Sequence, residues 1–268
     1  MTVINTNVAA TITANALTKN ERAMSQAMER LSTGQRINSA GDDAAGLAIS
    51  SRMTTYITGL DMAVRNANDA ISMIQTADGA LIEMTNMLQR MRELAVQASS
   101  GTYSATDRDA LNVEFEALTA AVEDIADDTQ WNGVSLLNGA SAFSFHVGAN
   151  ASQTISLTIA DFETEESSMT SGIFEALADA TTNNDNSGDD LDSLDVDTVS
   201  NAGTALTYIT TALGRIESHR ATLGATINRL EYAADNLANV SQNTLASRSR
   251  VLDADYASET TELAKTQI

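Results

Sequence analysis

Apolar residues recur at alternating spacings of three and four through residues 199–237, near the C-terminus. Within this series only Arg220 is not apolar. More than five heptads of this pattern predict one long helix with a coiled-coil seam, although a core helix of a globular bundle has the same periodicity. The seam positions include Leu206, Ile209, Leu213, Ile216, Ile227 and Leu230.

Two further helices are predicted in the first half of the chain. Residues 60–95 carry a second apolar series that shifts its phase once, as a three-residue stammer does in a coiled coil. A third helix is expected from Ser104, because Ser-x-x-Asp ending at Asp107 has the form of a capping box. The seam of the second helix includes Ile71, Leu81 and Leu88.

The pattern changes between the third and the last helix. Residues 131–162 contain two Asn-Gly pairs and then two runs of alternating apolar residues, which predict a β-hairpin. Residues 163–198 are acidic and rich in turn-forming residues, so we expect a solvent-exposed loop with one short helix at 173–178.

The N-terminal residues 1–43 are amphipathic but poor in large apolar side chains, of which they hold ten. Burying so few side chains does not offset the conformational entropy lost on ordering the whole segment. We therefore expect this segment to fold only against a partner, and other copies of the same chain are the simplest partner.

These elements predict a mainly α fold, an elongated bundle of long coiled-coil-like helices with a small β-hairpin. The last helix needs an apolar partner, so the N- and C-terminal segments are expected to pair at one end. The expected divisions are residues 1–43, 44–162, 163–198, 199–249 and 250–268.

Composition and charge narrow the functional classes. The 268 residues include no Pro, which permits long helices, and no Cys, which excludes disulfides and thiolate metal sites. Residues 109–214 contain no Lys or Arg but hold 19 of the 36 acidic residues, so this middle part should stay in water. We expect no nucleic-acid partner, because no basic cluster exists, and no membrane span. The N-terminus lacks the basic start of a secretory signal peptide.

The sequence gives little indication of a catalytic site. The two histidines, His146 and His219, belong to no HExxH motif or Ser/Asp constellation, so we expect no enzyme activity, metal or cofactor. The acidic loop "DNSGDDLDSLDVD" invites a calcium site, but its spacing departs from the EF-hand pattern, and a solvated loop is the favoured interpretation.

Several long motifs resemble bacterial flagellin. They are "MTVINTNVAA" at the start, "ERLSTGQRINSAGDDAAGLAIS" at 29–50, "NMLQRMRELAVQAS" at 86–99, "QWNGVSLLNG" at 130–139 and "LGRIESHRATLGATINRLEYAADNLANV" at 213–240. The resemblance covers roughly residues 1–150 and 200–268 in the family's order. It implies a structural subunit that self-assembles into the extracellular flagellar filament for motility. Export would use the flagellar apparatus and a chaperone, without a cleaved signal peptide.

The resemblance also implies roles for the predicted parts. Residues 1–43 and 250–268 would form an inner core domain, 44–162 and 199–249 a helical domain, and 163–198 would replace larger outer domains. The stretch 31–50 would connect the inner and helical domains. Gly34 and Gly41 would permit bends there, and Asp42 and Asp43 would favour the start of the next helix.

Other implied partners are filament cap and junction proteins and a host Toll-like receptor. Arg90, Leu94 and Glu114 match the receptor surface of the family, although the same face could instead pack against a neighbouring subunit. The family usually has Lys at Gly41, within the epitope of plant immune receptors, so plant recognition is not implied.

Alternative functions remain open at this point. A hook–filament junction protein shares the terminal pattern, and a soluble coiled-coil binding module is a more distant possibility. The chain ends at "TELAKTQI", where family members continue, and we expect a continuation rather than a short inner core.

Overall fold

The computed structural model of the chain describes residues 7–139, 141–162, 191 and 194–268. Its contacts divide the chain into two compact units. Met1–Met62 and Asn236–Ile268 form what we call the terminal unit, and Ala63–Asp235 form the central unit. Both divisions fall inside long helices, whereas the expected ones lay at 43/44 and 249/250.

Five α-helices and four short strands make up the described secondary structure. The elements are α1 (Val8–Thr33), α2 (Ala44–Ala98), α3 (Ala105–Asp128), β1 (Gln130–Trp131), β2 (Val134–Ser135), β3 (Ser141–His146), β4 (Thr154–Ile159), α4 (Val199–Leu252) and α5 (Tyr256–Gln267). Helix α4 has 54 residues, which at 1.5 Å per residue is about 80 Å. The predicted fold class, mainly α with long helices and a small hairpin, is confirmed.

The start of α3 has the capping box that its sequence predicts. The Ser104 hydroxyl accepts a hydrogen bond from the Asp107 N–H at 3.3 Å, and the Asp107 carboxylate accepts one from the Ser104 N–H at 3.0 Å. The hydrogen bonds from the Ser104 side chain and N–H lower the pKa of Asp107. Two of the donors left free at the first helical turn are thereby satisfied.

The core of the central unit lies along the predicted seams. Leu81 and Leu88 of α2 are fully buried, as is Phe115 of α3. On α4, the seam positions Ile209, Ile216 and Leu230 are fully buried, and Leu206, Leu213 and Ile227 are partly buried against the same core, as is Ile71 of α2. Arg220, the one polar seam residue, forms an ion pair with Asp78 of α2 at 2.7 Å.

Two antiparallel strand pairs follow α3. The Asn-Gly pair between β1 and β2 lies in the left-handed region, with φ of 52° at Asn132 and 79° at Gly133, as a type I′ turn requires. Strands β3 and β4 form the predicted hairpin, with Phe143 opposite Leu157 and Phe145 opposite Ile155. The alternate residues of β4 are buried, so one face of the hairpin covers the core.

The segment 163–198 differs from the expected exposed loop in its last part. Leu191 and Val196 are fully buried and Leu194 is nearly so. The Val196 N–H also donates to the Asn112 side chain of α3 at 2.8 Å. These side chains join the core because apolar residues alternate with the acidic ones there. The predicted helix at 173–178 and most of the acidic stretch lie outside the described residues.

His219 of α4 is half-buried beside this core. Its ring packs edge-on against Phe162, with 5.4 Å between the ring centroids. Its Nε2 atom is buried and has no hydrogen-bond partner in the described parts of the chain. Burial lowers the pKa of His219, because the apolar surroundings disfavour the imidazolium.

Acidification should therefore destabilise the central unit through His219. The unfolded chain binds a proton at a higher pH than the folded chain, so the stabilisation present above the usual histidine pKa is lost as pH falls. We expect the thermal midpoint to drop more between about pH 7.5 and 5 in the unaltered chain than in His219→Gln. Thermal melts across this range check the prediction, and equal slopes for the two proteins would contradict it.

Candidate assembly surface

Helices α1 and α5 pair in an antiparallel arrangement within the terminal unit. The Asn20 side-chain amide donates to the Thr266 carbonyl at 2.9 Å, and Arg30 Nη1 lies 2.9 Å from Glu259 Oε1. The N- and C-terminal segments therefore pair, as the sequence predicts. Both of these joining contacts are polar, and Ala27 and Thr266 are the buried residues of the two helices.

The turns that precede α2 and α5 are joined by backbone hydrogen bonds. The Arg36 N–H donates to the Leu252 carbonyl at 2.7 Å, and the Ala254 N–H donates to the Gly34 carbonyl at 3.0 Å. The Arg36 guanidinium adds a bond of 2.7 Å to the Val251 carbonyl. This bridge ties the end of α1 to the end of α4 through main-chain atoms, which no side-chain pattern reveals.

The acidic pair at 42 and 43 has two different local roles. Asp43 begins α2, because its Oδ1 accepts a hydrogen bond from the Gly46 N–H at 2.9 Å. Asp42 instead closes the preceding turn and accepts from the N–H groups of Ser39 and Asn38 at 3.0 and 3.2 Å. These backbone hydrogen bonds, with that of Ser39 the largest, lower the pKa of Asp42.

The structure distinguishes between the two glycines that are predicted to permit bends in this stretch. Gly34 ends α1 in the left-handed region at φ 71°, as a helix C-cap glycine does. Gly41 lies in the turn before α2, but nothing there requires glycine, since its φ is not positive and an added Cβ would make only an ordinary contact with Ser39. Gly46 is the glycine that the sequence analysis missed. A Cβ there would lie 2.5 Å from Asp43 Oδ2 and 2.6 Å from Ile37 Cδ1. The whole stretch lies inside the terminal unit and not at its border.

The terminal unit buries few apolar residues and exposes many. In the described part of this unit, only Ala27, Ile37, Ile57 and Leu60 are buried apolar residues. Large apolar side chains exposed in the same unit include Val8, Ile12, Leu17, Met28, Ile49, Tyr56, Met62, Leu245 and Tyr256. We interpret these exposed side chains as candidates for contact with another protein surface.

The three residues that are predicted to form a receptor surface lie in the central unit, where two of them are exposed and one is buried. Arg90 Nη2 lies 2.7 Å from Glu114 Oε1, and both side chains are about half exposed. This carboxylate raises the pKa of Arg90. Leu94 is fully buried in the core, because the face of α2 that carries it packs inward. Val96 of α2 is an exposed apolar residue that lines a groove of about 690 Å³ between α2 and α4 together with Glu93, which also pairs with Arg90.

The described residues hold no cluster of three or more metal-ligating side chains, and none of their helices combines the length and apolarity needed to cross a bilayer.

Comparisons with known families bear on this surface. A family model described as the bacterial flagellin N-terminal helical region matches residues 4–142, and one described as the bacterial flagellin C-terminal helical region matches residues 206–268. The chain is 34% identical to polar flagellin F of Vibrio parahaemolyticus over 351 aligned positions, which cover 99% of this chain and 93% of that protein. It is 35% identical to flagellin E of Vibrio cholerae over 349 positions, with 99% and 92% covered.

The alignments are longer than the chain, so these relatives carry inserted segments that the chain lacks. Among solved structures, one described as a flagellar hook-associated protein from Vibrio parahaemolyticus superposes with a TM-score of 0.63 at 11% identity. That superposition covers 79% of this chain and all of the other, and it supports the fold alone.

Proposed function

The chain belongs to the bacterial flagellin family, and from this membership we propose how its two units work in a polymer. It is a structural subunit of the extracellular flagellar filament with a much reduced outer domain, and it is not an enzyme. The two alternative functions are not favoured, because the relatives that match nearly the full chain are flagellins. The fold shared with a hook-associated protein carries no function at 11% identity.

We propose that the terminal unit completes its folding only when several copies come together. The observation that carries this proposal is the small number of buried apolar residues in the unit, beside its many exposed ones. Ordering each residue of α1 costs about 1–2 kcal/mol of backbone entropy, which its one buried side chain, Ala27, does not offset. Burial against neighbouring copies supplies the missing apolar contacts.

Electron microscopy of the concentrated full-length chain tests the function. We expect long helical filaments at high protein concentration and separate subunits on dilution. Monodisperse particles at every concentration and in salts that promote burial would contradict a filament subunit.

We propose that the terminal segments, the segment 163–198 and the partner proteins have the roles that membership of the family implies. Residues 1–43 and 250–268, which lie within the terminal unit, would form the inner core of the filament, and the segment 163–198 would face solvent in place of outer domains. Export through the flagellar apparatus with a chaperone, and contacts with cap and junction proteins, follow from family membership.

Glycine substitutions near the start of α2 should separate a required glycine from a permissive one. Gly46→Ala forces a Cβ onto Asp43 and Ile37, so we expect a higher concentration threshold for filament formation. Gly41→Ala has room for its Cβ and should assemble like the unaltered chain. Sedimentation of polymer across a concentration series measures both thresholds. Equal thresholds for the two variants would contradict the prediction.

We also propose that the monomeric subunit binds a host Toll-like receptor through the exposed Arg90–Glu114 pair. An exposed arginine fixed by a carboxylate is a common element of protein interfaces, and Val96 nearby offers apolar surface. Leu94 has no place in this proposal, because it is buried. Purified subunits should activate receptor-reporter cells, and Arg90→Ala should weaken the response at least about tenfold. Silence with the unaltered subunit would reject receptor binding.

A further inference from the structure

The pairing of α1 with α5 brings the only two lysines of the chain into one groove. Lys19 and Lys265 are far apart in the sequence, yet both line a groove of about 310 Å³ in the terminal unit. The groove is also lined by Ala16, Asn20 and Ala23 of α1 and by Glu262 and Thr266 of α5. We call this the lysine groove.

The two lysine ammonium groups differ in whether a carboxylate of the same chain pairs with them. Lys265 Nζ lies 3.3 Å from Glu262 Oε2 on the same helix. Lys19 forms no ion pair with any residue that the structure describes, and its side chain is exposed. The lysine groove is therefore suited to a carboxylate from a second copy.

The carboxylate of Glu21 lies on an exposed face of α1, from which one copy can present it to another. Leu17, Glu21 and Met28 follow one another at helical spacing, and all three are exposed, with 60% of Leu17 and 47% of Met28 accessible. This stripe lies on a different face from the residues of α1 that contact α5. Glu21 forms no ion pair with any described residue. The stripe therefore carries one unpaired carboxylate and the lysine groove one unpaired ammonium, so the two surfaces are complementary in charge.

We propose that the lysine groove of one subunit binds the Leu17–Glu21–Met28 stripe of a second copy, with the Glu21 carboxylate paired to the Lys19 ammonium. The inference rests on the proposed function and names a contact within it. Lys19 and Glu21 are two residues apart on one helix and do not face each other, so the pair forms between copies. Because the two surfaces differ, the contact is head-to-tail, and each subunit offers a free surface to the next, as in an open helical filament.

Amine labelling tests the contact on the unaltered chain. The two lysines are the only side-chain amines, so an acetylating reagent followed by peptide mapping reports on the groove directly. Lys19 should react at least about tenfold more slowly in filaments than in dilute subunits, because a paired and covered ammonium is a poor nucleophile. Equal reaction rates for Lys19 in the two states would overturn the proposal.

Charge reversal supplies the second test. Lys19→Glu and Glu21→Lys should each raise the concentration threshold for filaments about tenfold, because each places like charges together. The double variant K19E/E21K restores opposite charges and should assemble within about threefold of the unaltered chain. Its matched control is R52E/E21K, which has the same net charge but leaves two lysines facing each other, and it should stay impaired.

The outcomes separate this inference from the function on which it rests. Absence of filaments from the unaltered chain would refute both. If the unaltered chain forms filaments, unchanged thresholds in the single variants refute the lysine groove contact alone. Failure of K19E/E21K to assemble better than R52E/E21K refutes it as well. Circular dichroism of each variant should match the unaltered subunit, since both side chains are exposed.

Discussion

Deletion of residues 1–33 should abolish filament formation and leave the central unit folded. The deletion removes α1 with its exposed Val8, Ile12, Leu17 and Met28, which are the surfaces we assign to other copies. It removes no member of the central core, which lies between residues 67 and 234. Electron microscopy and sedimentation measure the polymer, and the thermal transition of the truncated chain reports on the central unit.

The two readouts serve as controls for each other. A truncated chain that melts within a few degrees of the full-length chain and forms no filaments fits the account. Filaments formed by the truncated chain would show that α1 is dispensable, which contradicts assembly through the terminal unit. Loss of the thermal transition would show that the two units do not fold separately, contrary to the division of their contacts.

Phe115→Ala should cost the central unit about 3–5 kcal/mol in free energy of unfolding, because it leaves a cavity in a packed core. Phe115 is fully buried on α3, in contact with the core that α2 and α4 share. For a unit of this size the loss corresponds to a fall of roughly 10 °C in thermal midpoint.

Val113→Ala is the matched control on the same helix, since Val113 is 67% exposed. It should change stability by less than about 0.5 kcal/mol. Denaturant or thermal unfolding compares the two variants directly. Similar losses for Phe115→Ala and Val113→Ala would contradict the assignment of the core.

Features set by local spacing could be predicted from the sequence. The seam of α4 follows from the alternation of three and four, and the start of α3 follows from Ser104 and Asp107. The hairpin follows from two runs of period two. In each case the residues that decide the structure lie within a few positions of one another, so one stretch of chain contains the signal.

Features set by distant contacts could not be predicted. The burial of Leu94 depends on which face of α2 the other helices cover, and residues 90–99 alone do not specify it. The close fit at Gly46 depends on the positions of Ile37 and Asp43, while its φ is ordinary. The bridge between Arg36 and Leu252 uses backbone atoms, which every residue carries.

The lysine groove has the same origin. Each lysine alone is an ordinary surface residue, and only the antiparallel pairing of α1 with α5 brings both to one place. The sequence shows that the chain has only two lysines, but it does not show that both line the same groove.

Hydrogen exchange at α1 and α5, compared between dilute subunits and filaments, tests the central claim most directly. If the terminal unit lacks the buried apolar surface to hold its own shape, the amides of Val8–Thr33 and Tyr256–Gln267 exchange freely in the dilute subunit. The same amides become protected in the polymer, while those of the central core are protected in both states. Strong protection of α1 and α5 in a dilute, solitary subunit would contradict the account.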